Sequence, residues 1–220
     1  MKRILIVSAV LILLCGSMAL AADTTGWVWS NYSNHNDAFS IGPDGDTIWI
    51  GTNSGLVRWD ISDVASDPTM ELVDEFIPSD YYVNSILVRD NVTWFAAEGM
   101  GVVKLQDGEW SVYSSSNSDL PNDWVWGIDF DPAGTMWVAS SGGVARFDGS
   151  TWTVFTEDDG LVSDYTMSIT VDGNGDVWAG SWSGLSHYDA GTGTWTAYTT
   201  ENSGLPVDSV NDIAVDSANI

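Results

Sequence analysis

Tryptophan returns in this chain at positions 49, 94, 137 and 178, at gaps of 45, 43 and 41 residues, each time inside a similar apolar block: IWIGT, TWFAA, MWVAS and VWAGS. A glycine and a second apolar stretch follow each block, as GLVRWD from Gly55, GVVKLQ from Gly101, GVARFD from Gly143 and GLSHYD from Gly184. Three of the units continue into a W-x-x-aromatic segment: Trp110–Tyr113, Trp152–Phe155 and Trp195–Tyr198. In the first unit Val73 and Phe76 are expected in those places, after an insert around Ser62–Met70. An isoleucine at 41, 86, 128, 169 and 213 precedes each block in a short alternating stretch. Self-similarity at a period of roughly 42 residues, with four short strands per period, is the signature of a β-propeller blade. A four-stranded sheet with two apolar faces cannot bury both alone, so blades stack around an axis and the repeated Trp fills the space between them.

Both ends bear on the count. Trp29-Ser30-Asn31-Tyr32 repeats the outer-strand pattern with no inner strands before it, and Val210–Asp216 repeats an inner strand. The reading is an all-β partial propeller over 22–220. It comprises an outer strand at 26–33, blades at about 37–77, 82–114, 124–156 and 165–199, and an inner strand at 209–216. About four and a half blades are fewer than the roughly six to eight of most rings, so the expectation is a piece of a longer chain that supplies the remaining blades.

Met1-Lys2-Arg3, the apolar run Ile4–Leu14 and Ala19-Leu20-Ala21 have the order of a secretory signal peptide, cleaved after Ala21. Leu14 before Cys15 does not fit a lipoprotein site. An uncleaved anchor over Ile4–Ala22 is the rival reading, disfavoured by its small-residue end and the acidic segment from Asp23. With residues 1–21 removed, no cysteine remains for disulfides, thiolate metal sites or nucleophilic catalysis. Four permanent cations (Arg58, Arg89, Lys104, Arg146) then face all 31 Asp and Glu. Such a polyanion is repelled by nucleic acid and by anionic lipid, and no membrane insertion of the mature chain is expected. An apolar fraction of 44% with 12% aromatics nevertheless supports a core and excludes disorder.

Strings such as MWVASSGGVARFDGSTWTVFTEDDGL and VWAGSWSGLSHYD followed by GTGTWTAYTTENSGLP resemble the two-component regulator propeller repeat. Its usual form is close to D-x-x-G-x-x-W-x-G-T-x-x-G-L-x-x-(F/Y)-D, then W-x-x-(F/Y)-T and G-L-P. The resemblance covers nearly all of 26–220, although no single repeat matches throughout. It implies propeller blades of the secreted or periplasmic sensor half of hybrid histidine kinases, or a free-standing secreted protein. Kinase and phosphoacceptor segments are not among these 220 residues. Streptogramin lyase propellers have related repeats, which keeps an enzyme as an alternative. A structural or adhesion module of a larger surface protein is a further alternative.

No catalytic constellation is visible: no G-x-S-x-G, no H-x-x-x-H and no H-E pair occurs. His35 lies in the loop entering the first inner strand, and His187 is expected to be exposed on a third strand. Asp172, Asn174 and Asp176 alternate like the start of a calcium loop. Val177 and Ser183 stand where such a loop needs Gly and Glu. A hairpin turn accounts for the segment, so no cofactor is expected, with calcium there as the alternative. In an up-and-down sheet the loops entering the first strand and joining the second to the third emerge at one end. That end gathers Tyr82, Trp124, Trp126, Tyr165 and Trp182, with Asn53 and Glu98. Aromatic platforms with a few polar partners suit a small-molecule, carbohydrate or peptide ligand. The competing reading is that these rings cap the core between blades.

Overall fold

The computed structural model describes residues 37–62 and 69–215. The leader, the 26–33 segment and His35 lie outside the described residues. Among the described residues, sixteen strands form four antiparallel sheets, each ordered as in the chain. The first contains β1 (Ala38–Asp44), β2 (Thr47–Thr52), β3 (Gly55–Asp60) and β4 (Thr69–Leu72). The second contains β5 (Tyr82–Arg89), β6 (Val92–Glu98), β7 (Gly101–Gln106) and β8 (Glu109–Tyr113). The third runs through β9 (Val125–Phe130), β10 (Met136–Ser140), β11 (Gly143–Phe147) and β12 (Trp152–Phe155). The fourth runs through β13 (Thr166–Val171), β14 (Val177–Ser181), β15 (Gly184–Asp189) and β16 (Thr194–Tyr198). Each first strand contacts the next sheet's first strand (β1 with β5, β5 with β9, β9 with β13), so the inner edges line up in sequence.

The repeated Trp is a wedge between consecutive sheets. Trp49 meets Phe95 and Trp110 of the second sheet edge-on, at centroid distances of 5.5 and 6.2 Å. Trp94 reaches Phe130 of the third at 5.7 Å, and Trp137 reaches Tyr188 and Trp195 of the fourth at 5.1 and 6.3 Å. Opposite each wedge, across the strand pair, sits a basic residue: Arg58, Lys104, Arg146 and His187 face Trp49, Trp94, Trp137 and Trp178. Lys104 Nζ lies 5.3 Å from the Trp94 ring and Arg146 Cζ 5.8 Å from that of Trp137, distances at which a cation is attracted to the ring face. His187 is therefore not the exposed side chain expected. It stacks on Trp178 at 4.0 Å, and its Nε2 lies 3.2 Å from Asp176 Oδ2.

The outer strand of the first sheet also differs from expectation. Met70 lies opposite Trp59 as Trp110 lies opposite Leu105, so Met70, not Val73, takes the tryptophan's place. Val73 occupies the aromatic's place, its N–H donating to Leu56 O at 2.8 Å. Phe76 lies beyond the strand and stacks on Trp110 of the next sheet at 4.8 Å. An unbranched apolar side chain can fill a wedge position, which hid the strand from a pattern built on aromatics. At the other end, 209–215 form no strand. The Val210 N–H donates to Ser181 O at 2.8 Å, and Val210 abuts Gly180 as Val83 abuts Gly51.

Neighbouring sheets are also tied at the end opposite the aromatic loops. Asp129, at the end of β9, accepts the Val171 N–H at 2.7 Å and the Thr170 hydroxyl at 3.3 Å from the fourth sheet, and the Phe130 N–H at 2.8 Å. Burial pushes its carboxyl above the usual aspartate range despite these donors. The group is easier to protonate folded than unfolded. Its contribution to stability is therefore fully present below the ordinary aspartate value of 3.8 and is lost as pH rises through the raised one. Asp129→Asn keeps an acceptor and removes the titration. The stability of the native chain relative to this variant is expected to fall as pH rises above the ordinary aspartate value of 3.8, read as the difference in urea midpoints across a pH series.

Candidate ligand-binding face

The loops at the aromatic end are held by short polar devices that recur from sheet to sheet. Where the second strand ends in a buried hydroxyl, that hydroxyl bridges the turn: Thr52 Oγ1 donates to Gly55 O at 2.9 Å, Ser140 Oγ to Gly143 O at 3.0 Å and Ser181 Oγ to Gly184 O at 3.1 Å. Each also accepts a turn N–H, from Ser54, Gly142 and Ser183 respectively. These turns carry Asn53, Ser141 and Trp182. The third-strand glycine then ties the turn to the next sheet. Gly55 donates its N–H to Tyr81 O at 2.9 Å, Gly101 to Asp123 O at 2.9 Å and Gly143 to Asp164 O at 2.6 Å. The acceptors are the residues just before Tyr82, Trp124 and Tyr165, so both loop sets are fixed to one another.

On this frame the rings form two groups. Trp126, Tyr165 and Trp182 make a row across the third and fourth sheets, with centroids 5.8 and 5.1 Å apart and the second pair stacked at 23°. Trp126 Nε1 donates to Ser141 Oγ at 3.3 Å, which fixes one end of the row, while Trp182 at the other end is 64% exposed. Phe39 and Tyr82 form a second pair across the first and second sheets at 5.9 Å. Trp124 is 50% exposed, and its backbone rather than its ring is bound, through Asn122 Oδ1 and the Ser141 N–H. Glu98 is held within the second sheet by Asn84, which also bridges to the third. Asn84 Nδ2 donates to Glu98 Oε2 at 3.5 Å and to Val125 O at 3.2 Å. Asn53 donates its N–H to Asp37 O at 3.1 Å. The arrangement therefore brings Trp126, Tyr165 and Trp182 together and leaves Trp124 and Asn53 outside the row.

Phe39 was not among the expected residues, although a signal existed. It stands two residues before Ile41, as Trp126 stands two before Ile128. Both occupy the extra residue of a bulge, between Ala38 and Ser40 and between Val125 and Gly127. A bulge turns its extra side chain out of the alternation, here toward the loop end.

The turn at Asp172–Asp176 lies at the far end of the fourth sheet. Asp172 Oδ1 accepts the Asn174 and Asp176 N–H groups at 2.8 and 3.0 Å, and Asp176 Oδ1 accepts that of Ala190 at 2.9 Å. These oxygens brace the hairpin. Among the described residues, no group of three His, Cys, Asp or Glu is placed to hold a metal ion.

The architecture matches solved proteins. An extracellular domain assigned to a hybrid two component system of B. thetaiotaomicron superposes over 91% of this chain and 27% of its own, with TM-score 0.69 and 21% identity. The chain has a β-propeller fold. It resembles the two-component regulator propeller repeats, and it spans only about a quarter of that domain. PorZ, a surface component of the type-IX secretion system of Porphyromonas gingivalis, matches over 83% of this chain and 30% of its own, with TM-score 0.58 and 20% identity. Virginiamycin B lyase from Staphylococcus aureus matches over 73% and 55%, with TM-score 0.56 and 14% identity. No family model and no curated protein matches the sequence. Among the described residues no helix is long and apolar enough to cross a membrane.

Proposed function

We propose that this propeller is a secreted or periplasmic, non-enzymatic module that binds a carbohydrate or peptide ligand on its aromatic loop face, with further blades supplied by a longer chain. The observation that carries the reading is the Trp126–Tyr165–Trp182 row, an ordered run of rings ending in a Trp that is 64% exposed. A ring that far into solvent adds little to the core, and loops on a rigid scaffold are where binding residues concentrate. Likeness to an extracellular sensor domain supports the compartment and the sensing role.

Screening oligosaccharides and peptides on an array, followed by thermal shift, tests this. A ligand that binds the native chain is expected to lose binding when Trp182→Ala is combined with Trp124→Ala. Trp182→Ala alone should leave stability within about 0.5 kcal/mol. Binding that survives both substitutions overturns the face assignment, and substrate turnover abolished by His35→Ala overturns the non-enzymatic reading.

A further inference from the structure

Charge narrows the ligand class at this face, an inference that rests on the binding reading above. Every permanent cation among the described residues is engaged within the bodies of the sheets. Lys104 and Arg146 lie over Trp94 and Trp137, and Arg146 also lies 5.9 Å from the Phe155 ring. Arg89 lies over Phe130 at 5.3 Å and donates to Asp131 O at 2.8 Å, while Arg58 pairs with Glu71 at 3.1 Å. None of them belongs to a loop of the aromatic end. Asp37, Asp80, Glu98, Asp123, Asp164 and Asp208 do. Asp123, Asp164 and Asp208 each accept a backbone N–H, from Ser115, Glu157 and Thr200. The rings therefore share their loops with carboxylates and, among the described residues, with no permanent cation.

We propose that the face takes a cationic peptide segment whose Lys or Arg side chains lie on the Trp126–Tyr165–Trp182 row, with the carboxylates of the same loop end, Glu98 among them, supplying the opposite charge. Elsewhere in the molecule the same pairing is made internally three times, by Lys104, Arg146 and Arg89. A guanidinium or ammonium is drawn to the negative face of a ring and further by surrounding carboxylates. An acidic glycan meets repulsion from the same carboxylates, and a neutral sugar gains nothing from them. Charge complementarity selects the cation.

The test uses the full chain and a capped octapeptide of alternating lysine and arginine, followed by calorimetry and tryptophan fluorescence. Comparison ligands are an octapeptide of alternating glutamate and serine and a neutral hexasaccharide. The basic peptide is expected to bind, to weaken as salt is raised, and to lose about tenfold in affinity in Trp182→Ala, a change that alters no charge. Trp182→Phe keeps a ring and should recover part of that loss, while Glu98→Gln should lose a few-fold. Basic-peptide affinity indifferent to Trp182→Ala and Tyr165→Ala means diffuse surface charge holds the peptide and overturns the inference. A hexasaccharide that binds through Trp182 while the basic peptide does not compete overturns the inference alone and leaves the binding face intact. Failure of all three ligands overturns the inference while the screen above still decides the face.

Discussion

Trp137→Ala is expected to lower the free energy of unfolding by about 3–5 kcal/mol, the range for emptying a buried tryptophan site. Trp137 is 2% exposed and packs with Val144, Leu161, Val177, Ala179, Tyr188 and Trp195. Phe155 stacks on it at 5.8 Å from its own sheet. Truncation opens a cavity between the third and fourth sheets, and neither can close it without breaking the hydrogen bond from Gly143 to Asp164. It also strands Arg146, which lies over the ring. Two comparisons isolate the cause. Trp178, the same position in the fourth sheet, is only half-buried, so Trp178→Ala should lose about 1–2 kcal/mol. Trp137 Nε1 is buried without a hydrogen-bond partner, so Trp137→Phe removes an unsatisfied donor along with ring volume and should lose less than half as much as the alanine variant. Urea unfolding followed by far-ultraviolet circular dichroism reads all three. A Trp137→Ala loss no larger than that of Trp178→Ala would contradict the wedge.

Gly143→Ala comes next, at about 2–4 kcal/mol. The residue opens β11 with φ of 105°, in the left-handed region that a side chain resists. An added Cβ would fall on the carbonyl oxygen of Phe155, the last residue of the neighbouring outer strand. Gly101 and Gly184 meet Tyr113 O and Tyr198 O in the same way. The backbone there cannot yield freely, because the Gly143 carbonyl accepts both Ser140 Oγ and Thr166 Oγ1 at 3.0 Å. Gly134 is the control. Its φ is 93°, but nothing lies within 4 Å of the added atom, so Gly134→Ala should show only the backbone penalty of about 1 kcal/mol. Equal losses at the two positions in urea unfolding would mean that the carbonyl contact is unimportant.

The strand pattern was legible because its signals are local. A Trp inside an apolar block, a glycine six or seven residues later and a W-x-x-aromatic strand each repeat in sequence, and the four sheets follow that order. The first outer strand was not legible, since Met70 and Val73 carry no aromatic signal and the unusual length between β3 and β4 displaced the count. Gathering Trp126, Tyr165 and Trp182 at one end followed from topology alone. Their meeting as a row did not, because it depends on a bulge in β9, on the loop entering β13 and on the β14–β15 turn together. The stacking of His187 on Trp178 was within reach of strand register, but exposure was read from side-chain type and not from the ring opposite.

The first three sheets each carry the tryptophan that the next one needs, so the repeat in the chain and the repeat in cohesion are out of step. A cut made in the linker between two blades does not isolate a finished part. It leaves one fragment with a bare indole and the other with an empty socket for it. The natural severable piece is instead the junction itself, made of one sheet's second and third strands and the next sheet's apolar face. Shuffled or shortened versions of this chain should therefore be joined within a blade, so that every indole keeps the surface it was matched to.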